Sequence, residues 1–118
     1  MSWKTELVRR SEHTQVLALD ERSHANANHS YSVERNSEGD EIARIEFQKG
    51  PIQEHGVNGV QIEDLLATCA HRLQGFQAGP FACEPNQVAL EHINSALKAL
   101  DARTAERKER GVEGKSVV

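Results

Sequence analysis

Apolar and polar residues follow two rhythms along this chain, and the rhythm changes near residue 58. Before that point the segments are short and alternate every second residue, the period of a strand. Thr14 to Asp20 sets Val16 and Ala18 against Leu17 and Leu19, so both faces are apolar, as in a strand inside a sheet. Glu21 to Asn28 is polar and reads as a loop. His29 to Arg35 puts Tyr31 and Val33 on one face and Ser30, Ser32 and Glu34 on the other. After the turn-forming run Asn36-Ser37-Glu38-Gly39-Asp40, Glu41 to Gln48 alternates again, with Ala43, Ile45 and Phe47 on one face. Two such runs around a short turn make a β-hairpin. Lys49-Gly50-Pro51 breaks the ladder, because proline has no N–H to donate. Residues 52–57 are expected to add one more short strand, while the first dozen residues carry no clear assignment.

Beyond residue 58 the period becomes helical. Asn58-Gly59-Val60-Gln61 has the form of a capping box, so the first helix is expected to start near Asn58. Ile62, Leu65, Leu66, Cys69 and Leu73 share one face of it, and Gly79-Pro80 stops it. The second helix is expected from about Pro85, with Glu84 complementing its dipole, to about Arg110, where Gly111 ends it. Ala89, Ile93, Ala96, Leu97, Leu100 and Thr104 form its buried stripe. Such a helix is a rod of roughly 38 Å, longer than a small domain needs for its own core. Its far end, Asp101 to Arg110, has almost no large apolar residue; it either projects into water or packs on a partner. The expected fold class is α+β: an N-terminal antiparallel β-sheet over about residues 12–57, then a C-terminal two-helix hairpin over about residues 58–110, with a tail at 111–118, all counted as one domain.

Composition sharpens this. Of the chain's 118 residues 37% are apolar and 27% charged, a globular balance. Thirteen of the apolar residues are alanine, and Met1, Trp3, Val117 and Val118 sit at the ends, which leaves a thin core that an oligomer would supplement. The net charge of −4 argues against a binder of nucleic acid polymers, though a few placed arginines suffice for a small anion. No apolar run approaches the length of a membrane span, and the start has no apolar signal region. Two cysteines, Cys69 and Cys83, suggest no disulfide framework.

Candidate chemistry is sparse. Six histidines (His13, His24, His29, His55, His71 and His92) show no metal-ligand spacing, so no metal site and no cofactor are expected. No serine sits in a nucleophile elbow, and no phosphate-cradling glycine motif occurs. The stretch between the helices is the informative one, because Phe76 and Phe81 put two of the five aromatics in one hinge. Loop aromatics either plug a core or stack on a base. Asn86, at the second helix's first turn, either caps that helix or reads a base edge or ribose. Arg103 and Arg107, four apart, either clamp phosphates or belong to a solvated face that pairs internally, as Glu106 and Arg110 do by spacing. Arg22, in the polar loop, has no role that its position alone reveals.

The run Arg72-Leu73-Gln74-Gly75-Phe76-Gln77-Ala78-Gly79-Pro80-Phe81-Ala82-Cys83, followed by Asn86, then by Glu106-Arg107 and Arg110-Gly111-Val112-Glu113-Gly114, carries a resemblance. From about His29 to Gly114 the chain is similar to the first-described Thoeris anti-defence family of bacteriophages, which shares a helical-hairpin domain with a phage anti-CBASS sponge protein. The resemblance implies a non-enzymatic sponge. Such a protein would bind a cyclic ADP-ribose immune signal, hold it without cleaving it, and keep the Thoeris effector off in the host bacterial cytoplasm. It implies the same sheet-and-hairpin fold and a homodimer or homohexamer. Residue by residue, it implies that Phe76 stacks on the base, that Asn86 lines the pocket, and that Arg103 and Arg22 contact phosphates. Arg107 would belong to a second site for CBASS cyclic oligonucleotides. The chain departs from the family pattern at Glu84-Pro85, where a basic residue and a second acid are expected; an acid there lowers the local positive potential. A sponge for cyclic di- or trinucleotides alone, an oligomeric interaction protein without a nucleotide ligand, and a hydrolase using a histidine and a carboxylate are the rival readings.

Overall fold

The computed structural model describes residues 5–36 and 38–115, so Met1, Trp3, Ser37, Val117 and Val118 lie outside the described residues. The described chain divides between Val60 and Gln61 into two compact units, two residues after the change of rhythm.

The first unit is an antiparallel meander of β1 (Glu6–Arg10), β2 (Thr14–Ala18), β3 (Ser30–Arg35) and β4 (Glu41–Glu46), in that spatial order. The register aligns Val16 with Val33 and Ala43, and Ala18 with Tyr31 and Ile45, so one face is apolar as the alternation required. Tyr31 meets Phe47 edge to face, with ring centroids 5.5 Å apart. The opposite face holds a correction. Ser32, read as an outward polar position, is buried, and its hydroxyl donates to the Glu41 carboxylate at 2.6 Å. Arg44 closes over the same carboxylate at 2.8 Å. Long charged side chains cover a small one, and the alternation of residue types does not reveal that.

The loop after β4 differs from expectation. Residues 52–57 form no strand; Ile52–His55 makes one helical turn, α1, entered from Pro51 and ended by Gly56 at φ +70°. Asn58 does not cap a helix. Its side chain accepts from the Lys49 N–H at 2.8 Å and donates to the Lys49 carbonyl at 2.8 Å, replacing a missing strand neighbour. Gln48 and Val60 continue this closure through backbone bonds, in a parallel bridge of Phe47 with Val60.

The second unit contains α2 (Ile62–Gln77) and α3 (Glu84–Glu109), packed as a hairpin. The capping box is there, shifted by one turn. Gln61 caps α2 and accepts from the backbone at Asp64, whose carboxylate accepts the Gln61 N–H at 2.9 Å. Helix α3 ends in a Schellman arrangement: Gly111 turns left-handed at φ +72°, and Val112 N–H reaches the Arg107 carbonyl at 3.0 Å. Ala70 and Leu90 are the buried apolar residues of this unit, and Leu65, Leu66, Leu73, Ile93, Leu97 and Leu100 stay part-exposed. No helix is long and apolar enough to cross a membrane, among the described residues.

Gly59 gives the fold a sharp test. A Cβ there would meet the Phe47 carbonyl carbon at 2.4 Å and the Gln48 nitrogen at 2.7 Å, both backbone atoms that cannot swing aside. Gly59→Ala is expected to destabilise the sheet unit by about 2 kcal/mol, the scale of overpacking. Urea unfolding followed by near-ultraviolet circular dichroism of Tyr31 reads the change.

Candidate functional site

The hinge between α2 and α3 is a six-residue connection, 78–83, pinned at its base. Gln77 Oε1 accepts the Cys83 N–H at 3.1 Å, and Gln77 Nε2 donates to the Cys83 carbonyl at 3.0 Å. One side-chain amide thus makes the two-way bond that a neighbouring strand would make. Backbone bonds from Gly79 to Phe76 and from Ala82 to Gly79 tighten the turn. Pro80 and Phe81 form its tip, where Phe81 is 74% exposed. Phe76, the penultimate residue of α2, is half-buried beside this base. The Arg72 guanidinium, one helical turn earlier, lies 5.1 Å from its ring centroid, in cation–π range.

Asn86 is the third residue of α3 and is half-buried. It is not the cap: Cys83 holds that position, and the Asn86 amide makes no hydrogen bond among the described residues. Phe76 and Asn86 therefore stand at the same end of one hairpin, each in its helix's turn next to the hinge.

Arg103 and Arg107 share a helical face by spacing but not by surroundings. Arg103 is exposed, whereas Arg107 is only 6% exposed. The Arg107 guanidinium donates to the carbonyls of Val112 at 2.9 Å and Lys115 at 3.0 Å, and it lies 3.6 Å from the Glu113 carboxylate. It ties the segment after Gly111 back onto the helix. Arg103 is 17 residues from Asn86 in one continuous helix, about 25 Å along its axis. Within one chain, Arg103 is not brought to Phe76 and Asn86.

Arg22 belongs to the first unit, exposed in the loop between β2 and β3. Asp20 closes that loop. Its carboxylate accepts the N–H groups of His29 at 3.0 Å and Ser30 at 3.1 Å, while Asn28 donates to its carbonyl at 2.7 Å. Ala25 and Asn26 take left-handed dihedrals at the tip, φ 58° and 63°. Partial burial pushes the Asp20 carboxyl upward, but the hydrogen bonds from the Ser30 and His29 backbone outweigh it and hold it below the usual aspartate range. Ser23 and Asp20 both approach the same nitrogen of buried His29, Nδ1, at 3.3 and 3.8 Å. A relay needs its acid and its nucleophile on opposite ring nitrogens, so this trio is a loop clasp rather than a triad.

Against this geometry, the family model described as Acb2/Tad1, hairpin domain, matches residues 39–105, more than half of the chain. The chain belongs to the Acb2/Tad1 hairpin family. It is also similar to a protein named Thoeris anti-defense 1, from Bacillus phage SBSphiJ7, with 51% identity over 73 residues, 62% of this chain and 51% of the relative. The match thus spans about half of that relative's length. Phe76, Asn86 and Arg103 lie inside the Acb2/Tad1 hairpin match, as does the whole pinned turn; Arg22 and Arg107 lie outside it. Arg72 also lies inside it; the sequence reading does not name it as a site residue, although its i, i+4 spacing to Phe76 is the available signal.

Two outcomes follow from these contacts. The carboxyl of Asp20 sits lower in the folded state than in the unfolded chain, so its stabilisation is complete above the ordinary aspartate value and is lost as pH falls through the lowered one. Urea melts from pH 7 to pH 3 are expected to show Asp20→Asn less stable at neutral pH, with the gap to wild type closing in acid. Arg107→Met should cost about 2 kcal/mol, the worth of hydrogen bonds to a charged group, and should speed tryptic cleavage after Arg110 and Lys115.

Proposed function

We propose that this protein is a phage anti-defence sponge. It binds a cyclic ADP-ribose-type immune signalling nucleotide, holds it uncleaved in the cytoplasm of the infected cell, and so leaves the Thoeris effector without its activator. Membership of the Acb2/Tad1 hairpin family and the likeness to a phage protein named Thoeris anti-defense 1 support this direction. The observation that carries the site is Phe76: a half-buried ring fixed beside a pinned turn, with an unengaged Asn86 amide at the same end of the hairpin. A base stacked on that ring, with its edge read by the amide, is the ligand such a pair suits.

Arg103 joins this site from a second copy. The roughly 25 Å between Arg103 and Asn86 along one helix exceeds what a single nucleotide bridges. Two hairpins set antiparallel bring the Arg103 end of one α3 to the hinge of the other. The part-exposed leucines of both helices are the surface such a homodimer would cover. A homohexamer would be three such pairs. Binding without chemistry needs only stacking, phosphate contacts and exclusion of water, which suits a site whose polar groups are an amide and guanidinium groups. Arg22 stays a phosphate-contacting candidate on the family likeness. Arg107, engaged by the tail, lies apart from the hinge site; a second site for cyclic oligonucleotides there stays a reading of the resemblance alone.

Calorimetric titration with a cyclised ADP-ribose tests this. Phe76→Ala should weaken binding about 10- to 100-fold, the range of one base–aromatic stack. Asn86→Trp should abolish it by replacing the amide with a bulky ring beside Phe76. Nucleotide released by heat should return with its mass unchanged; a cleaved product, or wild-type protein that binds nothing, would overturn the reading.

A further inference from the structure

We propose that Arg72 is the phosphate-binding cation of the hinge: a nucleotide whose base stacks on Phe76 sets its phosphate against the Arg72 guanidinium. This deepens the sponge reading and rests on it.

The other arginines of the hairpin are engaged or stand far from Phe76. Arg107 is buried and held by the carbonyls of Val112 and Lys115. Arg110 pairs with Glu106 at 3.2 Å. Arg103 is exposed, but it stands at the opposite end of α3 from Phe76. Arg72 is the arginine at the ring. Its guanidinium carbon lies 5.1 Å from the Phe76 centroid, and it makes no hydrogen bond or ion pair with any other described residue. Arg35, Arg44 and Arg110 lie against carboxylates. Arg72 instead spends its contact on a ring, which leaves its five N–H donors in water.

That arrangement suits one kind of ligand. A base and the phosphate of its own nucleotide lie only several ångströms apart, so a stacked base delivers its phosphate to the neighbourhood of the ring. A guanidinium already resting there can donate bidentately to a phosphate without giving up a protein partner. The i, i+4 spacing on a helix that ends in a pinned turn holds both side chains in register before the ligand arrives.

Titrations of a cyclised ADP-ribose into wild type, Arg72→Met and Arg72→Lys, each at low and at high salt, test the assignment. Methionine keeps an unbranched apolar stem on the ring and removes the charge. Arg72→Met is expected to bind about 10- to 100-fold more weakly at low salt, with the gap narrowing at high salt, and to melt where wild type melts. Arg72→Lys should recover part of the loss. Wild-type affinity in Arg72→Met overturns the role of Arg72 and leaves the sponge reading standing. A loss that ignores salt and accompanies a lower melting temperature also overturns it, since Arg72 would then only brace the helix. Wild-type protein that binds no nucleotide overturns the sponge reading and this inference together.

Discussion

The two-way bond between the Gln77 side-chain amide and the backbone of Cys83 is the constraint on which the hairpin depends. Without it, the six residues between the helices would be a loop with a glycine, a proline and an exposed phenylalanine, free to adopt many shapes. With it, the last turn of α2 and the first turn of α3 are fixed relative to each other. Every feature of the proposed site inherits that geometry. Phe76 precedes Gln77 in the chain, Arg72 sits one turn before Phe76, and Asn86 lies three residues after Cys83. A binding site made from helix ends is rigid only if the turn joining them is rigid.

The second constraint is the small interior of the hairpin. Two packed helices bury Ala70 and Leu90 and leave a row of leucines half wet. Helix α3 runs for 26 residues and α2 for 16, so α3 overhangs its partner by about 15 Å. The overhang carries Arg103, and the tail folds back on its end through Arg107. In the proposed dimer the far end of α3 meets the hinge of a second copy, so surface burial and site completion are one event.

Much of this was legible in the sequence. Strands β2, β3 and β4, their apolar face and the span of both long helices follow from two periods and a few breakers. What was not legible has identifiable causes. Strand β1 was missed because a bulge between Leu7 and Arg9 breaks the alternation. Asn58 satisfied a capping pattern, yet its amide was claimed by Lys49, a contact that no local spacing encodes. Arg103 and Arg107 looked equivalent at four residues apart, and only the returning tail separates them. Of the site residues, Phe76 and Asn86 were singled out from position and resemblance. Arg72 was visible as text but gained its meaning from the geometry of its guanidinium on the ring.

In the proposed sponge two copies of this chain share a nucleotide without changing it. Native mass spectrometry of the protein incubated with a cyclised ADP-ribose tests this sharing. An even number of chains carrying nucleotide of unaltered mass is expected, with no nucleotide on single chains. A single chain that holds the nucleotide by itself, or an assembly that releases a hydrolysed one, would contradict it.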